Sequence, residues 1–477
     1  MITEHPGPRL TASFLADATG GTWAPIPSAP HAFGVSIDSR TIEPGAVFIA
    51  LRGEHTDGHR YVAKAARSGA ACAMIDRGLS DEESQGLPSG FGLLRVDNAM
   101  AALTALACAH RDTFTGRVVA VAGSAGKTTT KRLVGAALET DGSTTVSPKS
   151  FNNPLGVALT LLAADRDDRY VVCEVGTSAK GETAELAALT QPDAGLIASV
   201  GREHLDGLGC IDGVIEETAG LRVGLAPRAP VVCPPSRSLG DDASRLAERL
   251  GPHALPAWDA RTTCVRFDRT EVEIETPQGT IAAELRLIGA HQSENAASAM
   301  TLAHTLGIDP RVALNAIASV EPPRGRMRPL ARGSLSILDD TYNAHPDSAL
   351  AAARSLRHID HDGPKIFALG DMLELGEAGP DCHREVGRAI ADAGVDTLIT
   401  FGDLASLAAD EIEPLGVACV RLGSSDSAFN RAAGLIPPNA LLLVKGSRGV
   451  RTERLLEAIE AEGPLAAPLR ERRHDPV

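Results

Sequence analysis

The chain has 477 residues, 43% hydrophobic and 22% charged, which is enough for about three domains, each with its own core. A net charge of −15 disfavours nonspecific binding to nucleic acid or anionic membrane, so a polyanionic ligand must be held by a local pocket. The eight cysteines are scattered without C-x-x-C pairs, which argues against a disulfide framework and a thiolate zinc site; reduced, mostly buried thiols are expected. No basic-then-apolar leader opens the chain and no apolar run approaches the roughly 18 residues of a membrane span, so the cytoplasm is the expected compartment.

Short β-branched runs alternate with Ala/Leu-rich helical stretches, an α/β pattern throughout. A first domain is expected over residues 1–115, with strands at 35–37, 47–50, 71–75 and 93–96 and a helix at 61–68. A second, over 116–322, carries strands at 118–121, 170–175, 195–200 and 231–233 in βαβ alternation. The Pro/Arg-rich segment Glu321-Pro-Pro-Arg-Gly-Arg-Met-Arg-Pro then interrupts the helical pattern and marks a boundary. The third domain, 323–477, is expected to hold strands at 335–338, 366–369, 397–401 and 441–444 and a helix at 451–460.

The most informative stretch runs from Arg117 through Val-Val-Ala-Val-Ala to Gly123, Ser124, Ala125, Gly126, Lys127, Thr128 and Thr129. A strand feeding a small-residue loop and then a helix turns backbone N–H groups and the positive helix end onto one spot, which is how phosphates are bound. Lys127 then reaches the β/γ-phosphates and Thr128 offers its hydroxyl to Mg²⁺. The spacing, G-x-x-G-K-T, is that of a shortened P-loop. A glycine-rich turn with a helix-capping threonine is the plainer alternative. Glu174 ends the apolar run Tyr170-Val-Val-Cys-Glu, where α/β sheets present ligand-contacting groups, and its carboxylate complements Thr128 at Mg²⁺. His204 follows the next strand and faces the same cleft if its role is functional rather than structural.

These pieces resemble the Mur ligases, ATP-dependent amide-forming enzymes of peptidoglycan precursor synthesis, from about Ser36 to Leu456. The resemblance implies three domains, with a central P-loop domain and a C-terminal Rossmann-like domain. In the first, Ser36, Asp38, Ser39 and Arg40, then Asp57, Gly58 and His59, match blocks that bind the uridine-nucleotide substrate. In the second, Asn152 and Asn153 match a substrate block, Thr128, Glu174 and His204 the metal ligands, and Asn295 in Gly289-Ala-His-Gln-Ser-Glu-Asn the adenine contact. Arg326 and Asp340, in Asp339-Asp-Thr-Tyr-Asn-Ala-His-Pro, match a pair that engages ATP when the third domain closes. Asn343, Lys445, Ser447 and Arg448 match further substrate contacts. Lys127, His204 and Arg326 are the catalytic residues this implies.

The blocks Leu369-Gly-Asp-Met-Leu-Glu-Leu-Gly, Cys382-His-Arg-Glu-Val-Gly and Leu443-Val-Lys-Gly-Ser-Arg-Gly look like the D-alanyl-D-alanine-adding branch. The implied reaction is ATP-driven addition of that dipeptide to a UDP-linked peptide carboxylate through an acyl phosphate. ATP and Mg²⁺ are the implied cofactors, small molecules the partners, and a monomer the acting species, with neither nucleic acid nor membrane involved.

Three departures stand against that resemblance. The family's carbamate-bearing lysine, expected near Thr218, is absent, since no lysine lies between Lys180 and Lys365. Glu216 or Glu217 is the candidate substitute. Ala122 and Ser199 stand where Thr and Asn are common. The missing lysine favours two alternatives: an amide synthetase of a specialised pathway, and a weakly catalytic ATP-binding regulatory protein.

Overall fold

The computed structural model describes residues 9–28, 31–235 and 240–461. Residues 1–8 and 462–477, the outer ends of the first and third expected domains, lie outside the described residues. Each of the three large sheets is mostly parallel, in keeping with the helix-rich connections between its strands.

The central sheet has six strands in the order Ala254–Pro256, Val231–Cys233, Ala194–Ile197, Arg117–Ala122, Tyr170–Glu174, Thr144–Val146, all parallel. Arg117–Ala122 lies in the middle with five consecutive buried residues, the unbroken apolar run of a strand covered on both faces. Its register pairs Val121 with Glu174 on one side and with Leu196 on the other. The loop that leaves Ala122 therefore opens beside the ends of two neighbouring strands, where open α/β sheets bind ligands.

The C-terminal sheet has the order Arg328–Arg332, Leu335–Asp340, Leu441–Lys445, Lys365–Gly370, Thr397–Phe401, Ala418–Leu422. Only its first pair is antiparallel. The Pro/Arg-rich break is thus shorter than its composition implies, because Arg328 and Pro329 already belong to an edge strand, the one place in a sheet where proline is tolerated. The N-terminal sheet, Thr22–Trp23, Gly92–Arg95, Cys72–Ile75, Val47–Ile49, Val35–Ser36, repeats the pattern with an antiparallel edge.

Expected strands occur with shifts of up to three residues at their ends, the largest at the strand expected over 195–200, which ends at Ile197. The helix expected at 61–68 begins as a 3₁₀ turn at Gly58–Tyr61 before Val62–Arg67, and the last begins at Glu453 rather than Arg451. An antiparallel three-stranded sheet, Ala260–Val265, Thr270–Thr276 and Gly279–Leu285, was not expected; its alternating, charge-rich strands lack the apolar runs of the parallel sheets. Val265 and Ile288, at its ends, are buried in the hydrophobic core of the C-terminal sheet, with Phe267 packed against it.

Candidate active site

The phosphate loop is shaped by two glycines and one serine. Gly123 (φ 122°) and Gly126 (φ 78°) occupy the left-handed region that only glycine enters freely. A side chain on Gly123 would lie 2.6 Å from the Ser199 carbonyl oxygen. Ser199 also grips the loop from outside: its Oγ accepts from the Ala125 N–H (2.7 Å) and donates to the Ala125 carbonyl (3.0 Å). The departure at Ser199 is thus a structural brace of the loop. The helix Lys127–Glu139 starts directly after Gly126.

Lys127 Nζ donates to the carbonyls of Gly123 (2.6 Å) and Ser124 (2.8 Å) and pairs with Glu203 Oε2 at 3.3 Å. Burial raises the Glu203 carboxyl, but the charge of Lys127 and the hydrogen bond to His204 outweigh it and hold the group at about 2. Four residues further along the helix, Lys131 is 1% exposed and pairs with Glu174, also 1% exposed, at 2.7 Å. Burial pushes the Lys131 ammonium below its ordinary value, and Glu174 opposes that shift. Glu174 further accepts from Thr128 Oγ1 (3.0 Å) and from Asn152 Nδ2 (3.0 Å). Thr128 and Glu174 thus meet as the sequence expected, with a lysine it did not single out between them and the core. Spacing held the clue: positions 127 and 131 are one helical turn apart and share a face.

Lys127, Thr128, Asn152, Glu174 and Glu203 line a cleft of roughly 640 Å³ whose opposite wall comes from the C-terminal unit. Asn295, on the helix Gln292–Thr305, stands at the loop, its Oδ1 3.1 Å from where a Gly126 side chain would begin. From the far side Arg326 stacks on the Tyr342 ring at 4.1 Å. Asp340 and Lys445, register partners on adjacent parallel strands, pair at 2.6 Å with Lys445 only 3% exposed. Asp340 also accepts from the Met327 N–H (3.1 Å). Lys445 further donates to the Asn343 carbonyl (3.0 Å), and the Arg448 N–H donates to Asn343 Oδ1 (3.3 Å). Ser447 Oγ bonds the Ala344 carbonyl at 2.8 Å. Asn153 caps the helix Pro154–Leu161 by accepting from the Gly156 N–H (2.8 Å).

His204, in the left-handed region at φ 52°, reaches across the cleft: its Nδ1 lies 2.6 Å from Glu374 of the C-terminal unit and its Nε2 3.4 Å from Glu203. The hydrogen bond to Glu203 raises its pKa above the usual value, against its burial. Two residues earlier Arg202 pairs with Asp347 (2.8 Å) and Glu385 (2.6 Å), both across the same boundary. Arg202 and Glu203 adjoin His204 in sequence, and Glu374 and Glu385 lie in the blocks 369–376 and 382–387, but nothing in the sequence marked them as partners across the cleft.

Two expectations are corrected. Glu216 and Glu217 do not stand in for the missing lysine. Glu216 is 72% exposed and pairs loosely with Arg249 (3.6 Å), while Glu217 points at the start of the helix Glu182–Thr190. There it accepts from the N–H groups of Gly181 and Thr183, each at 2.6 Å, and from the Thr177 hydroxyl. Adjacent helix positions face about 100° apart, so neither glutamate takes the direction of buried Thr218. The second concerns His59, which is fully buried and cannot touch a ligand there: it holds Asp57 (2.6 Å) and accepts from the Asp76 N–H (3.2 Å). Asp57 is further tied to Arg77 (2.7 Å) and Asp38 to Arg40 (2.7 Å), while Ser39 is buried. Ser36, Asp38, Arg40, Asp57 and Gly58 lie outside the central cleft.

Fold and site define a P-loop enzyme whose nucleotide cleft is walled by a second, Rossmann-like sheet. The chain belongs to the Mur ligase family. The pattern of the Mur ligase family catalytic domain matches residues 31–111, that of the Mur ligase middle domain 121–303, and that of the Mur ligase glutamate ligase domain 325–448. The UDP-N-acetylmuramoyl-tripeptide–D-alanyl-D-alanine ligase of Bacillus subtilis is 30% identical, with 96% of this chain and all of that protein covered. The enzyme of the same name from Escherichia coli is 30% identical over 90% of this chain and 94% of its own. The crystal structure of MurF from Acinetobacter baumannii superposes with a TM-score of 0.82 at 28% identity, covering 96% of this chain and all of that one.

Proposed function

We propose that this chain adds D-alanyl-D-alanine to UDP-N-acetylmuramoyl-tripeptide at the expense of ATP, as the relatives named above do. The observation that carries the reading is the convergence in one cleft of Lys127, Thr128 and Glu174 with Arg326, Asp340 and Lys445 from the facing unit. Residues 1–115 hold the UDP-linked acceptor, 116–322 the ATP and 323–477 the dipeptide. A monomer is the proposed acting species and the cytoplasm the proposed compartment.

A carboxylate resists attack by an amine until one of its oxygens becomes a leaving group. In the proposed reaction that oxygen attacks the γ-phosphorus of ATP, ADP departs, and the dipeptide amine then attacks the acyl carbon, releasing phosphate and a proton. Gly123 to Gly126 cradle the phosphates with backbone N–H groups. Lys127 exchanges its loop carbonyls for the β/γ oxygens, and Arg326 approaches from the facing wall, so positive charge meets the transferring group from both sides. Thr128 and Glu174 present the oxygen donors that suit Mg²⁺, which when bound neutralises phosphoryl charge. Asn295 at the loop is placed for the adenine. Three reactants on three units must meet, so positioning supplies much of the rate.

The test is phosphate release with Mg²⁺, UDP-N-acetylmuramoyl-tripeptide and D-alanyl-D-alanine, with the product weighed by mass spectrometry. Release that requires both substrates and yields the UDP-linked pentapeptide is expected. ATP binding without product would overturn the substrate assignment and point to another carboxylate and amine pair.

A further inference from the structure

Two loops of the C-terminal unit leave the carboxyl ends of adjacent parallel strands, Lys365–Gly370 and Leu441–Lys445, the end at which open α/β sheets bind ligands. The loops are fastened to each other. The Leu373 N–H donates to Ser447 Oγ (2.9 Å), the Ser447 N–H donates to the Asp371 carbonyl (3.1 Å), and a side chain on Gly449 would lie 2.9 Å from Leu373 Cδ1. The next residue on each loop, Glu374 on one and Arg448 on the other, lines the cleft, and the two carry opposite charge.

Among the described residues, three acids and three cationic side chains face the cleft from this unit: Asp340, Asp347 and Glu374, with Arg326, Lys445 and Arg448. Most are already committed. Asp340 and Lys445 neutralise each other, Arg202 holds Asp347, and Arg326 is assigned above to the phosphates. Glu374 and Arg448 are left facing the open cleft. The Glu374 side chain is 62% exposed and meets the His204 imidazole with one oxygen (2.6 Å), while a carboxylate accepts about four hydrogen bonds in all. Arg448 is 65% exposed and gives Nη1 to Glu453 (3.0 Å), one donor of about five. Leu373 beside them is 41% exposed, an apolar surface in a polar cleft. Glu374 also sits at φ 63°, a left-handed conformation that is uncommon outside glycine and gathers at functional sites. An acid, a guanidinium and an apolar side chain on one wall match a short peptide with free ends and small apolar side chains. The contact with His204, next in sequence to the Glu203 that pairs with Lys127 (3.3 Å), sets the acid at the phosphate-loop side, where an amine has to meet an acyl phosphate.

We propose that Glu374 receives the ammonium group of the incoming amine substrate while Arg448 holds its carboxylate, so that the pair selects a short zwitterionic peptide. This rests on the ligase reading of the cleft and states how its second substrate is recognised. A ligand that lacks either charge leaves one of the two side chains without its counter-charge, which is the basis of the discrimination.

The experiment removes each charge from protein and ligand in turn. Phosphate release by the full chain with Mg-ATP and UDP-N-acetylmuramoyl-tripeptide gives KM for D-alanyl-D-alanine and for its C-terminal amide, and the inhibition constant of N-propionyl-D-alanine, which has the same skeleton without the ammonium. The unsubstituted protein, Glu374→Gln and Arg448→Gln are compared, with melting temperatures. Glutamine at 374 keeps an acceptor oxygen for His204 and loses only the charge. The expected result for Glu374→Gln is a dipeptide KM raised about tenfold or more, an unchanged KM for ATP, and an unchanged inhibition constant for N-propionyl-D-alanine. Arg448→Gln should raise the KM of the dipeptide and leave that of the amide where it was. A dipeptide KM unaltered in Glu374→Gln would overturn the proposal. So would an equal weakening of the dipeptide and of N-propionyl-D-alanine, which marks a structural role, or a matching rise in the KM for ATP, which marks an effect through His204 on the nucleotide. Absence of dipeptide-dependent phosphate release by the unsubstituted chain would overturn the substrate assignment itself, and that outcome is read before any variant is compared.

Discussion

Two regions stood out in the sequence with equal clarity, the phosphate loop and the first-domain blocks around Ser36 and Asp57, and the structure treats them differently. In the cleft, charged groups are buried and are held by backbone carbonyls or by each other beside open space: Lys127 on two loop carbonyls, Lys131 on Glu174, Lys445 on Asp340. In the first domain the charges are closed upon one another, Asp38 with Arg40 and Asp57 with both His59 and Arg77. A motif can therefore mark a ligand's contacts or the frame that shapes them.

Substitutions sharpen that contrast. The largest effect is expected from Lys127→Ala, with phosphate release falling by 10²–10³-fold or more, roughly the loss from deleting one electrostatic contact to a transition state, while the protein remains folded. Release that survives would remove the loop from the reaction. Lys131→Met should act on stability instead, costing about 3–5 kcal/mol in denaturant unfolding because Glu174 is left buried and unpaired; a cost below about 1 kcal/mol would show that Thr128 and Asn152 suffice to hold it. On the other side of the comparison, His59→Leu is expected to lose about 1–3 kcal/mol by stranding the Asp76 N–H and Asp57 while kcat is unchanged at saturating substrate. A fall in kcat would make His59 more than a frame.

Acid tests the cleft charges directly. Glu203 titrates near 2 in the fold against an ordinary 4.5, so its contribution to stability is present above about 4.5 and is lost as pH falls toward 2. Glu203→Gln should flatten the stability profile over that window, and an unaltered profile would mean that Lys127 does not hold the carboxylate in solution. The smallest effects separate the neighbouring glutamates. Glu217→Ala should cost about 1–3 kcal/mol through the freed helix-start N–H groups, and Glu216→Ala should stay within about 0.5 kcal/mol. Neither should alter the Mg²⁺ requirement of phosphate release.

The parallel sheets were legible because their strands are unbroken apolar runs, as at 118–122 and 441–444, and the loop because glycine enters the φ of positions 123 and 126 freely. The antiparallel sheet at 260–285 was not, since alternating strands rich in Arg, Glu and Thr resemble solvated connection. Side-chain direction was equally hidden. Whether Glu217 faces a cation or a helix end depends on the rotation of one helix against another, and the pairing of Arg202 with Asp347 and Glu385 joins residues 145 and 183 positions apart.

The antiparallel sheet has a mechanical corollary. The polypeptide crosses to the C-terminal unit once, at 321–328, and Val265, Phe267 and Ile288 form a second attachment by seating in that unit's core. The C-terminal wall is therefore tied to the central unit at three places: the chain crossing, this apolar seat and the Arg202 clamp on Asp347 and Glu385.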